Sequence, residues 1–155
     1  MSTSVSIVVT GKRFAGTGLR AIEPVMQEMI GSAQSHIHLL AYLIRESALP
    51  LLELLGHALA RQVRLTLVIN KLSQQPDVVR DRLKLLGGQP GVEIADFDDP
   101  GGGQLHAKVL VADRKRAVVG SANWSWGGLI ANHEIGLMLE GDLAWTLADL
   151  IERLR

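Results

Sequence analysis

Short apolar runs alternate with longer amphipathic segments along the first hundred residues, and this alternation restricts the possible folds. The short runs predict β-strands at residues 5–9, 36–43, 63–69 and 92–97. Between them, apolar residues recur at helical spacing over residues 19–33, 47–61 and 77–86. Strands that alternate with helices pair in parallel through right-handed crossovers, so this region predicts parallel strand pairing.

The pattern changes after residue 97, where a loop rich in Asp and Gly leads into two apolar runs joined by a charged turn. Residues 106–113 and 117–123 predict a β-hairpin, residues 135–139 another strand and residues 142–155 a final amphipathic helix. The chain has 155 residues, 47% of them hydrophobic, which is enough for one core. We therefore expect a single α/β domain over residues 1–155, with a mixed β-sheet flanked by helices on both faces.

The hairpin carries four polar side chains that can converge. Strand periodicity places His106 and Lys108 on one face, and Ser121 and Asn123 share a face of the next run. A lysine supplies positive charge, Ser and Asn supply hydrogen-bond donors, and a neutral histidine can act as a nucleophile. This combination favours attack on phosphorus. Asp113 has the opposite parity and lies at the turn, which assigns it to structure.

The spacing His-x-Lys-x4-Asp-x6-Gly-Ser-x-Asn resembles the HKD motif of the phospholipase D superfamily at each defining position, namely His106, Lys108, Asp113, Gly120, Ser121 and Asn123. The segment Asn132-His-Glu134 resembles the downstream Asn-x-Glu of that family, whose carboxylate orients the catalytic histidine. The resemblance implies a phospholipase D-like fold and a phosphodiesterase activity.

The family uses two facing motifs, in which one histidine forms a phosphohistidine and the other protonates the leaving oxygen. This chain has one motif and therefore resembles Nuc-type bacterial endonucleases, which complete the site by homodimerisation. The resemblance implies that Lys108 and Asn123 hold phosphate oxygens, that Ser121 assists as a donor, and that Glu134 fixes the tautomer of His106. By strand parity, His133 should point away from the site. No metal or other cofactor is required in this mechanism.

Nucleic acid is the expected substrate, because short single-motif relatives are more often nucleases than lipid enzymes. Possible substrate-binding residues are Lys12, Arg13, Trp124 and Trp126, although packing beneath the sheet is an equal alternative for the tryptophans. The motif and tail also resemble proteins of prokaryotic restriction and antiphage defence clusters. A phospholipase and a noncatalytic nucleic-acid-binding subunit of such a defence system remain alternatives.

Two metal-binding interpretations are weaker. His36 and His38 share a strand face, but no third ligand follows nearby in the sequence, which favours surface histidines. Asp96, Asp98 and Asp99 could suggest a two-metal site, but Asp, Pro and Gly are common turn formers.

The remaining composition bears on location and partners. Sixteen Lys and Arg balance sixteen Asp and Glu, so affinity for a polyanion must come from a local patch. There is no cysteine, no apolar stretch long enough for a membrane span, and no signal-peptide pattern at the start. We expect a cytoplasmic protein without stable membrane association.

Overall fold

Eight strands form one mixed sheet in the computed structural model, which describes residues 2–155. The strands are β1 Ser4–Thr10, β2 Arg20–Ala21, β3 His36–Ala41, β4 Arg64–Asn70, β5 Val92–Phe97, β6 Lys108–Ala112, β7 Arg116–Gly120 and β8 Glu134–Glu140. Their order across the sheet is β2-β1-β8-β7-β6-β3-β4-β5. The helices are α1 Ile22–Ser32, α2 Leu49–Ala60, α3 Asp77–Gly87 and α4 Asp142–Glu152.

The sheet has a parallel part and an antiparallel part that meet at β3. Strands β3, β4 and β5 are parallel, with Leu39 beside Leu67 and Leu67 beside Ile94. On its other side β3 pairs antiparallel with β6, which continues through β7 and β8 to β1. The predicted change from parallel to antiparallel pairing after residue 97 is confirmed for β3 to β7. It does not hold for β1, which lies in the region predicted to pair in parallel but pairs antiparallel with β8 over its whole length, and in parallel only with the two residues of β2.

Helices cover both faces of the sheet, as predicted. The larger core lies under α1, α2 and α3, and the smaller core lies under α4, where Ala144, Ala148 and Ile151 are buried. In α1 the buried residues recur at helical spacing, and Pro24 is tolerated because the first turn needs no backbone donor there. Burying each large side chain stabilises the fold by about 1.5–3 kcal/mol.

Several element boundaries differ from the sequence prediction. Helix α1 begins at Ile22 instead of residue 19, because Arg20–Ala21 pair with β1 as the short strand β2. Strand β6 begins at Lys108 and β7 ends at Gly120, so His106, Ser121 and Asn123 lie outside the strands. The loop predicted at residues 11–18 contains a 3-10 turn at Lys12–Phe14.

One part of the sheet is left uncovered. Val5 and Ile7 of β1 and Ile135 and Leu137 of β8 are exposed, and the strand register places Ile7 beside Leu137. These four residues share the sheet face that carries α4, and we call them the β1–β8 patch. Among residues 2–155, no helix combines the length and the apolar character needed to cross a bilayer.

Candidate active site

The motif residues gather at the end of the sheet where β6 begins, β7 ends and β8 begins. The strand register aligns Lys108 with Gly120 and Gly120 with Gly136. A side chain at position 120 could not fit, because an added Cβ would lie 2.7 Å from the Cα of Gly136 and 2.7 Å from the carbonyl oxygen of Ile135. Gly120 therefore allows β7 and β8 to approach closely beside the site.

His106 is exposed just before β6 and contacts Lys108. The Lys108 ammonium donates to Nδ1 of His106 at 2.9 Å and lies 3.4 Å from Nε2. Tyr42 completes this group, with its ring centroid 4.4 Å from that of His106 and 5.3 Å from Nζ of Lys108. No motif in the sequence indicates Tyr42, and the available signal is its position directly after β3.

The backbone preceding His106 is anchored to the parallel part of the sheet. The side chain of buried Asn70, the last residue of β4, accepts from the N–H of Leu105 at 2.9 Å and donates to Gln104 at 3.0 Å. Gln75 in turn donates to the Asn70 carbonyl at 2.9 Å. Because Leu105 is also buried in the smaller core, His106 is presented from a fixed segment.

Glu134 forms hydrogen bonds with Ser121 and Asn132. It accepts a short hydrogen bond from the Ser121 hydroxyl and a longer one, 3.4 Å, from the amide of Asn132. Among residues 2–155, no hydrogen bond joins Glu134 to His106, so the orienting contact implied by the family resemblance is absent from this single chain. Partial burial lowers the pKa of Lys108, and the negative charge of Glu134 opposes that shift.

Asn123 is held by tight backbone packing. A Cβ at Gly128 would lie 2.2 Å from the Asn123 carbonyl oxygen, so only glycine fits there. The next residue, Trp124, is 3% exposed and joins the larger core, and its backbone pairs with the segment after β3 at Ile44. The side-chain oxygen of Asn123 is buried and has no partner among the described residues.

The four possible substrate-binding residues lie in different environments. Trp124 is core, as stated above, whereas Trp126 is 62% exposed and accessible to a ligand. Lys12 and Arg13 lie in the loop after β1. The backbone N–H of Arg13 donates a hydrogen bond of 3.2 Å to Nε2 of His133. The His133 ring also contacts Phe14 edge-on. It therefore lies against this loop.

Asp113 ties the β6–β7 turn to the start of β3. Its carboxylate accepts from the N–H groups of Gln34, Ser35 and His36 at 2.9, 2.7 and 3.1 Å and from the Ser35 hydroxyl at 2.9 Å. Burial tends to raise the pKa of Asp113, but these hydrogen bonds outweigh it and lower the pKa. All these contacts are remote from His106.

The expectation that His36 and His38 are surface residues was wrong. They are 8% and 0% exposed, because α4 covers the start of β3. A third potential ligand is also present, since Glu152 accepts from Nε2 of His38 at 2.7 Å. No local sequence pattern relates Glu152 to His38, because the two residues are 114 positions apart. Burial, followed by the positive charges of His38 and Arg64, lowers the pKa of His36 to about 4.

The aspartates of the two-metal interpretation do not gather. Asp96 accepts from the N–H of Leu72 at 2.8 Å, and Asp99 accepts from the N–H of Gly101 at 2.8 Å. These are turn contacts, as the Asp and Gly composition of the loop favoured. Within residues 2–155, the grouping of ligand-type side chains compatible with a metal is His36, His38 and Glu152.

Comparisons with known proteins agree with this architecture. The structure superimposes on NucT from Helicobacter pylori with a TM-score of 0.79 at 16% sequence identity, covering 99% of this chain and 96% of that one. Nuc from Salmonella typhimurium, a phospholipase D family member, gives a TM-score of 0.77 at 19% identity, with 99% and 94% coverage. At these identities the matches show a shared fold.

Sequence comparisons extend the match. The chain is 26% identical over 150 residues to the DISARM protein DrmC from Bacillus paralicheniformis. The alignment covers 96% of this chain and 62% of that protein, so the chain spans less than two thirds of its relative's length. The family model described as cardiolipin synthase, PLD-like domain, matches residues 26–154. Since that match includes most of the chain, this protein belongs to the phospholipase D-like domain family.

Proposed function

We propose that this protein is a metal-independent phosphodiesterase that hydrolyses nucleic acid through a phosphohistidine formed on His106. The observation that carries the proposal is the exposed His106 ring, with the Lys108 ammonium 2.9 Å from its Nδ1 and the negative charge of Glu134 acting on that lysine. The ring supplies a nucleophile, and the lysine supplies the charge that a pentacoordinate phosphorus needs. An open position at the ends of the central strands admits a polymer.

The reaction balances in two steps. In the first step, a ring nitrogen of His106 attacks phosphorus. The bond from phosphorus to the leaving oxygen breaks, and a separate general acid donates a proton to that oxygen. Water then attacks phosphorus and breaks the P–N bond, while its proton returns to the same acid. We assign that acid to His106 of a second copy, because this chain carries one motif and His133 lies against the loop after β1.

The other motif residues act on charge and orientation. A phosphate oxygen would compete for the Lys108 ammonium, which releases Nδ1 of His106 to carry the ring proton while Nε2 attacks. The side-chain amide of Asn123 would donate to a nonbridging oxygen. Ser121 would donate there once a phosphate oxygen replaces Glu134 as the acceptor of its single hydroxyl proton. The negative charge of Glu134 would stabilise the protonated ring, although contact between them requires a rearrangement on substrate binding.

The homodimer has a surface suited to it. The exposed β1–β8 patch is an apolar surface that a second copy would cover, and Ile135 at one end of the patch follows Glu134 in the chain. If so, Ile7→Glu should shift the protein from dimer to monomer in light scattering and reduce hydrolysis. Leu85→Glu is the matched control, because Leu85 is similarly exposed but lies on α3.

Nucleic acid is favoured as the substrate by the exposed Trp126 and by the cationic loop of Lys12 and Arg13. Aromatic faces stack on bases without sequence preference. A relative named as a DISARM protein agrees with the resemblance to antiphage defence proteins and supports a role in defence.

The test is a panel of labelled single-stranded DNA, double-stranded DNA, RNA and phosphatidylcholine vesicles, each incubated with the protein in excess EDTA. We expect cleavage of nucleic acid that is unaffected by the chelator. Cleavage of the lipid alone would replace this proposal with the phospholipase alternative. Binding of nucleic acid without cleavage would favour a noncatalytic subunit, and activity restored only by magnesium would refute the mechanism.

A further inference from the structure

A second group of functional side chains lies at the opposite end of the sheet from His106. His36 begins β3, and the register places the neighbouring Ile37 beside Ala112, at the far end of β6 from Lys108. At about 3.4 Å per residue, the two groups are roughly 15 Å apart along the strand. Chemistry at His106 does not use these residues, so their burial needs a separate explanation.

The two imidazole rings are buried and pack closely against each other, with their planes tilted by 33°. The ring centroids of His36 and His38 are 3.8 Å apart. Nε2 of His36 shares a hydrogen bond of 2.8 Å with the Thr66 hydroxyl, and Nε2 of His38 bonds to Glu152. Nδ1 of His38 is buried without a partner among the described residues. A metal ion shared with Glu152 would bind at Nε2 of His38, in place of the proton between the ring and the carboxylate, and the ring proton would then be on Nδ1.

We propose that His36, His38 and Glu152 form a binding site for a divalent transition metal ion, with zinc as the best match. Each residue offers one ligand atom, and these atoms all lie within 4.8 Å of one another. Two imidazole nitrogens and one carboxylate oxygen form a ligand set that zinc uses, at about 2.0–2.2 Å per bond. Small side-chain movements would close the present separations.

The surroundings define what the ion does and how tightly it binds. A water-accessible cleft lined by Arg64, Thr66 and Glu93 adjoins the cluster and can supply a water molecule as the fourth ligand. Arg155 contacts Glu152 at 2.9 Å, and this positive charge weakens binding of a cation. We therefore expect weaker binding than at a site of the same ligands without a neighbouring arginine, and a structural role in which the ion joins α4 to β3.

The experiment uses full-length protein stripped with EDTA and then desalted. Titration calorimetry with zinc chloride should show one ion per chain, and thermal unfolding should shift upward by about 5 °C or more at a hundredfold excess over the dissociation constant. Magnesium should give no shift, because it prefers oxygen ligands. Glu152→Gln and His38→Gln should weaken zinc binding at least tenfold, whereas His57→Gln, which removes an exposed histidine of α2, should not.

Absence of stoichiometric zinc binding, or equal binding by the Glu152→Gln and His57→Gln proteins, would overturn the proposal. If His38→Gln fails to fold, Glu152→Gln decides, since that side chain is 21% exposed and its loss is better tolerated. The result is independent of the nuclease proposal. Removing metal with EDTA should leave hydrolysis at 25 °C unchanged. Loss of hydrolysis on this treatment would count against the metal-independent mechanism, whereas a failure to bind zinc would count against this site.

Discussion

One carboxylate, that of Asp113, joins the β6–β7 turn to the segment before β3, and replacing it should destabilise the whole sheet. It accepts hydrogen bonds from three backbone N–H groups and one hydroxyl. The backbone φ of Asp113 is 56°, in the left-handed region. We compare Asp113→Ala, which removes every acceptor, with Asp113→Asn, which keeps one oxygen and tolerates the same backbone conformation.

The magnitude follows from these contacts. A hydrogen bond to a charged group contributes about 1.5–3 kcal/mol, and four that share one carboxylate contribute less than their sum, so we assign about 3 kcal/mol to the set. Alanine in the left-handed region adds about 1 kcal/mol. Asp113→Ala should therefore cost about 4 kcal/mol of the free energy of unfolding and Asp113→Asn about 2 kcal/mol.

Urea unfolding followed by circular dichroism measures both values. Asp81→Ala, at an exposed aspartate of α3, is the control and should change the free energy of unfolding by less than about 0.5 kcal/mol. The lowered pKa of Asp113 means that its contribution is present above the unfolded-state pKa and is lost as the pH falls through the lower folded-state pKa. A loss below about 1 kcal/mol for Asp113→Ala at pH 7 would refute this reasoning.

Three further predictions concern other parts of the molecule. His106→Ala should reduce hydrolysis by several orders of magnitude without changing the unfolding midpoint. When these chains are mixed with wild-type chains, activity should follow the fraction of fully wild-type dimers, and mixed dimers with half the wild-type activity would contradict this. Gly128→Ala should cost about 2 kcal/mol in urea unfolding and reduce turnover, because its Cβ collides with Asn123; an unchanged midpoint would show that the loop adapts. In EDTA, stability should fall by about 2 kcal/mol from pH 7 to 4.5, because His36 is protonated near pH 6.5 when unfolded but near pH 4 when folded; a His36→Gln protein with the same pH dependence would refute that assignment.

The sequence predicted the parts of this structure that depend on local patterns. Strand and helix periodicities predicted both the parallel and the antiparallel region, because each pattern reports which residues face a core. The spacing of His106 and Lys108 predicted their proximity, since residues two positions apart near a strand share a side. Strand ends were less predictable, because a strand ends where its pairing with a neighbouring strand ends. The pairing of β6 with β7 starts at Lys108, and no residue pattern marks that position.

Long-range contacts account for what the sequence could not predict. Asn70 and Tyr42 reach the site from the parallel strands, and no local pattern relates them to His106. Two histidines at the start of a strand are typical of a solvated edge, yet a helix from the end of the chain covers them. Trp124 and Trp126 are two residues apart and chemically identical, and only the pairing of Trp124 with Ile44 distinguishes core from surface.

The strand order also has a consequence for synthesis on the ribosome. Strands β6, β7 and β8 lie between β1 and β3, although they are made after both. A nascent chain that ends before residue 108 therefore has two unfinished sheet edges with no partner between them, and such edges promote association between chains. Folding must wait until the last third of the chain has emerged, so translation that stops early should yield a substrate for chaperones or proteases instead of a partly active domain.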